Sequence, residues 1–222
     1  MPTIEKGPST PLVFYASQSG RPTLDAGEGG GNPFASALIE LLQRQSLTLA
    51  ELHSDIVRLT QTKSQGFQIP DAPAVSEAAA WAVKPVPPSA KRVALVFVYS
   101  DYRAAGVNSL PGARRDAQRV AAALSDSGFV VASPVVDPTA REVEAALKSL
   151  AQQSADAESA VIYATGHGLE HHGEVYLMPN FHPMRELKMR ITELAIHVPR
   201  LGQHLQAERA NLVFFGGCRT LV

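Results

Sequence analysis

Cys218 and His167 are the residues of this chain whose types and spacing suggest chemistry. Cys218, the only cysteine, follows the apolar run Asn211–Phe215 and two glycines, and His167 stands between two glycines after the run Ser159–Ala164. Such runs are typical of buried strands, and open α/β sheets carry their chemistry at the carboxyl ends of strands. A thiolate beside an imidazole is a nucleophile for carbonyl carbons. The competing interpretation of a lone cysteine, a small buried apolar side chain, is equally common.

Composition excludes several classes of function. The net charge of −1 gives no reason to expect nucleic acid or a membrane surface as a partner. No apolar run approaches the roughly 18 residues of a membrane span, and the N-terminus lacks the apolar core of a secretory leader. A single cysteine excludes an internal disulfide and a cysteine-based zinc site. We therefore expect a cytoplasmic, reducing location.

The second half of the chain alternates between strand and helix patterns. Apolar runs predict strands at Val93–Tyr99, Phe129–Val136, Ala160–Ala164 and Leu212–Phe215, helices at Ala113–Ser125, Thr139–Gln152 and within Ile191–Gln206, and a hairpin arm at Glu174–Met178. Continuous apolar strands that alternate with helices indicate a parallel sheet covered on both faces. We therefore expect an α/β fold.

In the first part of the chain, the residue pattern predicts one strand and two helices, followed by a linker. Leu12–Ala16 is a short apolar run, and Asn32 is placed to cap a helix whose first residue is Pro33. Thr48 and Glu51 have the spacing of a capping box at the start of a second helix. Residues 71–90 are rich in proline and alanine, which is typical of a linker, with a possible short helix at Glu77–Trp81.

Several motifs of the second half identify a family in combination. They are Leu110–Asp116 (LPGARRD), Tyr163–Gly168 (YATGHG), Glu174–Pro179 (EVYLMP) and the pair Cys218-Arg219, with about 50 residues between the histidine and the cysteine. On these motifs residues 91–220 resemble the large-subunit half of the caspase and metacaspase cysteine peptidases (clan CD, C14-type), especially bacterial members.

Residues 11–70 resemble the small-subunit half of the same family, which in ordinary members follows the catalytic cysteine. The resemblance therefore implies a circular permutation with the small half first, as in type III metacaspases. It divides the chain into a small-subunit-like half at 1–70, a linker at 71–90 and a large-subunit-like half at 91–222. The implied fold is one caspase-like three-layer α/β/α sandwich with a mostly parallel central sheet.

The resemblance also implies catalytic roles for Cys218 and His167. Cys218 would be the nucleophile of a cysteine endopeptidase, and His167 its general base and acid. The backbone N–H groups of Gly168 and Cys218 would form the oxyanion hole. We expect a protein or peptide substrate and a monomer.

Metacaspases prefer Arg or Lys at the cleaved position, and Asp116 matches one acid of their substrate pocket. Thr165 occupies a pocket position where the family often has Ser, and Ser17, Gln18 and Asp25 are further candidates from the small-half resemblance. The residue two positions before the cysteine, normally a second acid, is Gly216 here, which weakens the predicted preference for a basic residue.

Two alternatives stay open at this stage. Gly216 and Gly217 before the cysteine are compatible with a catalytically weak or inactive caspase-like protein that serves as a binding module. The two parts of the chain are also compatible with the tail of one caspase-like domain joined to the head of another.

Calcium activates many metacaspases, but the sequence has no acidic cluster that would supply six or more oxygen ligands, so we expect no metal or cofactor.

Overall fold

The computed structural model describes residues 10–27, 30–75, 80–182 and 190–222. Its strands are β1 (Leu12–Tyr15), β2 (Leu47–Thr48), β3 (Ala82–Lys84), β4 (Arg92–Val98), β5 (Val130–Val131), β6 (Val135–Val136), β7 (Ser159–Thr165), β8 (Gly168–His171), β9 (Glu174–Leu177), β10 (Ile196–His197), β11 (Ala210–Phe215) and β12 (Thr220–Leu221). Its α-helices are α1 (Pro33–Leu42), α2 (Leu49–Lys63), α3 (Pro111–Asp126), α4 (Ala140–Ser154), α5 (Ile191–Leu194) and α6 (Val198–Leu201). Among these helices, none is long and apolar enough to span a bilayer.

The central sheet is parallel and lies between two layers of helices. Its strand order is β1-β11-β7-β4-β5, with β6 also pairing with β4, and every one of these pairs is parallel. Helices α1, α2 and α3 pack against one face of the sheet and α4 and α6 against the other. The α/β prediction is therefore confirmed. Strands β4, β7 and β11 are buried along their whole length because helices cover both faces of the sheet. This burial explains why their sequences are continuous apolar runs.

The N-terminal strand belongs to the same sheet as the strand that leads to Cys218. β1 pairs with β11 in register from Leu12 opposite Leu212 to Tyr15 opposite Phe215. The rings of Phe14 and Phe214 stack at 5.0 Å between centroids within one core. The first part of the chain therefore contributes an edge strand to the sheet that carries Cys218.

The predicted helix starts of the first part are confirmed. The Asn32 side chain accepts a hydrogen bond from the backbone N–H of Phe34, and Pro33 occupies the first turn of α1. Thr48 and Glu51 form the complete capping box of α2. Both caps satisfy N–H groups that a helix cannot pair internally, which is why the local sequence was sufficient to locate them.

Two predicted elements are wrong in detail. The single strand expected over Phe129–Val136 is two short strands, β5 and β6, because Pro134 between them has no N–H for the ladder. The helix expected within Ile191–Gln206 is split by β10 into α5 and α6. Pro199 fits only the first turn of a helix, so a new helix starts at Val198.

The predicted linker contains a strand of its own. β3 pairs with β2 in an antiparallel two-stranded sheet. The possible helix at Glu77–Trp81 lies largely outside the described residues, since 76–79 are not among them.

Candidate active site

Cys218 and His167 line the same cleft, which has a volume of about 140 Å³. The sheet topology explains their meeting, since β7 and β11 are parallel neighbours and their carboxyl ends lie at one edge. His167 follows the end of β7 and Cys218 follows the end of β11. The remaining lining residues are residues 23–25, Asn32, Leu110, Ala113, Thr165, Gly166 and Gly216.

A buried tyrosine holds the backbone of His167. The hydroxyl of Tyr102 accepts a hydrogen bond from the His167 backbone N–H at 2.9 Å and donates one to the Met178 carbonyl at 2.7 Å. The tyrosine and imidazole rings also meet edge to face, with centroids 4.4 Å apart. Burial raises the pKa of Tyr102, so its hydroxyl stays protonated and keeps donating. These contacts restrict the position of the imidazole.

The hydrogen bond on the other side of the ring assigns the tautomer of His167. Its Nε2 lies 2.7 Å from the backbone carbonyl oxygen of Asn108. A carbonyl only accepts, so Nε2 carries the hydrogen and, in the neutral ring, Nδ1 is left as the acceptor. Nδ1 is therefore the atom that can take a proton. Among the described hydrogen bonds none joins the imidazole to Cys218.

Cys218 is partly exposed, and its sulfur is in contact with Thr23. The backbone N–H of Thr23 lies 3.2 Å from Sγ, and its hydroxyl oxygen lies 3.3 Å from the same atom. On the backbone side, a Cβ at Gly168 would come within 2.3 Å of the Cys218 carbonyl oxygen. Only a glycine at 168 therefore leaves room for the chain at Cys218 to pass this closely.

The glycines that precede Cys218 have a steric reason. A Cβ at Gly216 would lie 2.8 Å from the Thr165 hydroxyl and 2.9 Å from the Tyr163 hydroxyl. The backbone here also packs against Asn32, whose side-chain amide donates to the Gly216 carbonyl at 3.1 Å. A larger side chain at 216 would therefore have to displace these neighbours.

Asp116 is fully buried behind the wall of the cleft. Its carboxylate accepts the backbone N–H of Asn32 at 2.7 Å and pairs with Arg119 at 3.0 Å. Burial raises the pKa of Asp116 to about 6, although the Asn32 hydrogen bond and the Arg119 charge act in the opposite direction. Asp116 is thus joined by a hydrogen bond to Asn32, which is a lining residue of the cleft.

Asp25 lines the cleft directly and has a second role that the sequence did not indicate. Its two carboxylate oxygens accept the backbone N–H groups of Gly112 at 3.0 Å and Ala113 at 2.9 Å. These are N–H groups of the first turn of α3, a helix whose own N-cap side chain makes no hydrogen bond. Asp25 therefore caps this helix from a distant part of the chain.

The remaining predicted residues divide between the cleft and its surroundings. Thr165 lines the cleft. Ser17 is buried and donates its hydroxyl hydrogen bond to the Arg21 carbonyl at 3.0 Å, and neither Ser17 nor Gly168 is a lining residue. In the described ranges, no group of three His, Cys, Asp or Glu side chains is arranged to hold a metal ion.

Sequence reasoning missed an ionic cluster directly after Cys218. Arg219 is buried and pairs with Glu170 at 3.1 Å and Asp71 at 2.6 Å. Its guanidinium also lies 4.5 Å from the ring centroid of Tyr15, whose pKa is raised to about 12, mainly by burial. Only the Cys-Arg pair hinted at this cluster in sequence. The cluster fixes the chain next to the thiol.

Comparison with known proteins gives one match. A family model described as the caspase domain of the C14 peptidases matches residues 91–220, more than half of the chain. A search of curated proteins finds no match. The matched residues include His167 and Cys218, whereas Thr23, Asp25 and Asn32 of the cleft wall lie before them.

Proposed function

Since the chain belongs to the caspase-domain family of peptidases, we propose that it is a cysteine endopeptidase with Cys218 as nucleophile and His167 as general base and acid. One observation carries the proposal: the two side chains line one cleft at the carboxyl ends of adjacent parallel strands. The hydrogen bond from Nε2 of His167 to the Asn108 carbonyl supports it further, because it leaves Nδ1 to accept a proton.

The proposed reaction is an acyl transfer in two steps. Nδ1 of His167 takes the thiol proton, and the Cys218 sulfur bonds to the carbonyl carbon of the substrate. The backbone N–H groups of Gly168 and Cys218 stabilise the oxyanion, and the imidazolium returns the proton to the leaving amine as the peptide bond breaks. Water, deprotonated by the same imidazole, then hydrolyses the thioester and regenerates the thiol.

We further propose that a basic residue, Arg or Lys, precedes the cleaved bond. Asp25 supports this preference, because it is the one acidic side chain that lines the cleft in the described structure and the lining includes no Arg or Lys. Asp116 would act from behind Asn32. Thr165, which lines the cleft, would contribute a polar contact, whereas the buried hydroxyl of Ser17 would support the neighbouring chain through its hydrogen bond to Arg21.

The proposed organisation is a circular permutation in which residues 1–70 supply the small-subunit-like half, 71–90 connect it, and 91–222 supply the large-subunit-like half. The parallel pairing of β1 with β11 supports it, as do the contributions of residues 23–25 to the cleft. On this proposal one chain forms the whole site and acts as a monomer, without a metal ion.

An activity-based peptide probe tests the function. A probe with Arg before its electrophile should label Cys218, whereas the same probe with Asp should label it poorly. Peptide hydrolysis should fall by about 10²–10⁴-fold in His167→Ala and vanish in Cys218→Ala, while His204→Ala, a partly buried histidine outside the cleft, should retain it.

Two outcomes would contradict the proposal. Hydrolysis that survives His167→Ala would exclude this histidine as the base. A folded protein that neither cleaves nor is labelled would instead indicate a catalytically inactive binding module.

A further inference from the structure

Thr23 presents two hydrogen-bonding groups to one sulfur atom. Its backbone nitrogen lies 3.2 Å and its hydroxyl oxygen 3.3 Å from Sγ of Cys218. The backbone N–H can only donate, and the hydroxyl is free to donate as well. Thr23 is far from Cys218 in sequence and outside residues 91–220, so the family match does not include it.

The segment before Thr23 is joined by backbone hydrogen bonds to Arg219, the residue that follows Cys218. The Gly20 N–H donates to the Arg219 carbonyl at 2.9 Å, and the Arg219 N–H donates to the Arg21 carbonyl at 3.0 Å. Arg219 itself is held by its buried ion pair with Glu170. The segment that carries Thr23 therefore moves together with the backbone of Cys218.

The residue after Thr23 is linked through Gln68 to Asn32, another lining residue of the cleft. The Leu24 N–H donates to the side-chain oxygen of Gln68 at 3.2 Å, and the Gln68 amide donates to the Asn32 side chain at 3.0 Å. Gln68 is buried, and the next residue, Asp25, caps α3. Thr23 is thus held from both sides, so its contact with Sγ is preorganised.

Two donors that converge on one sulfur match the thiolate better than the thiol. A thiolate only accepts hydrogen bonds, and hydrogen bonds to a charged form stabilise that form. We propose that Thr23 is a further catalytic residue, which donates hydrogen bonds to the Cys218 thiolate that forms when His167 takes the thiol proton. This inference rests on the proposed role of Cys218 as nucleophile.

The pH profile of Cys218 alkylation tests the inference without any peptide substrate. Cys218 is the only cysteine, so iodoacetamide incorporation in the full chain reports on this thiol alone. Thr23→Val keeps the shape and the backbone N–H but removes the hydroxyl. It should raise the pH midpoint of alkylation by about one unit and slow alkylation at neutral pH by about five- to tenfold.

Control variants distinguish the effect of losing the Thr23 hydroxyl from a general effect on folding. Thr23→Ser keeps the hydroxyl and should retain the midpoint of the unaltered protein. Thr62→Val, on the exposed face of α2, removes a threonine hydroxyl that does not line the cleft and should leave the midpoint unchanged. If Thr23→Val does not fold, Thr23→Ala, which removes the same hydroxyl and leaves a smaller apolar side chain, takes its place.

An unchanged midpoint in Thr23→Val would overturn the inference. Faster alkylation at every pH would also overturn it, because Thr23 would then be covering the sulfur rather than stabilising its charged form. The readout is independent of peptide hydrolysis. A shifted midpoint with no hydrolysis would therefore reject the proposed function alone, whereas normal hydrolysis with an unshifted midpoint would reject only the role of Thr23.

Discussion

Asp25 accepts a hydrogen bond from the backbone N–H of Gly112 at 3.0 Å and thereby caps a helix that is remote from it in sequence. The second carboxylate oxygen accepts the next N–H, from Ala113. The carboxylate also meets the positive end of the helix dipole. One side chain of the first part of the chain therefore fixes the helix that forms a wall of the cleft.

Removal of this distant cap should destabilise the protein. Asp25→Ala leaves two N–H groups of α3 without their acceptor, and we expect the free energy of unfolding in urea to fall by about 1–2 kcal/mol. Asp126→Ala, at the exposed carboxyl end of the same helix, should change it by less than about 0.5 kcal/mol. Equal effects of the two substitutions would mean that Asp25 does not act as a cap.

Gly112→Ala should be destabilising even though alanine is the better helix former by about 1 kcal/mol. A Cβ at Gly112 would lie 1.9 Å from the backbone carbonyl oxygen of Asp25, which cannot move aside as a side chain can. Thermal unfolding measures the sign of the effect. Gln118→Gly, at an exposed position of α3, calibrates the propensity and should cost about 1 kcal/mol. A higher melting temperature in Gly112→Ala would disprove the close approach.

Stability should depend on pH through Asp116. Burial raises the pKa of its carboxyl from 3.8 to about 6, so the folded state binds this proton more tightly than the unfolded state does. The contribution of Asp116 to stability is therefore fully present below pH 3.8 and is lost as the pH rises towards about 6.

Asp116→Asn removes this titration. The free energy of unfolding of the variant, relative to the unaltered protein, should increase by up to about 3 kcal/mol between pH 4 and pH 7. Denaturation at several pH values measures the difference, and other titrating groups largely cancel in it. A difference that is constant with pH, or that falls, would contradict the assignment.

Arg219→Met should be strongly destabilising. It leaves the buried carboxylate of Glu170 without its cation, and removal of one partner of a buried pair costs about 3–5 kcal/mol. Arg58→Met breaks an exposed pair with Asp55 and should cost less than about 1 kcal/mol. The double variant Arg219→Met, Glu170→Gln should recover part of the loss in urea denaturation. A loss under 1 kcal/mol in the single variant would show that the cluster is not coupled to folding.

The elements that depend on local physics were predictable from the sequence. Continuous apolar runs identified the buried strands β4, β7 and β11, and the side chains of Asn32 and Thr48 marked two helix starts. The proximity of His167 and Cys218 was predictable for a topological reason. Each follows a strand of one parallel sheet, and such strands end at the same edge.

The sequence by itself thus determined an α/β fold with a thiol and an imidazole at one edge of its sheet. Only the tertiary structure decided what surrounds them: Thr23 on the sulfur, Asp25 on the start of α3, and Asp116 behind the wall. These contacts join residues that are far apart in the chain. They arise from the way the first part of the chain packs against the second, and no local pattern of residue types encodes that packing.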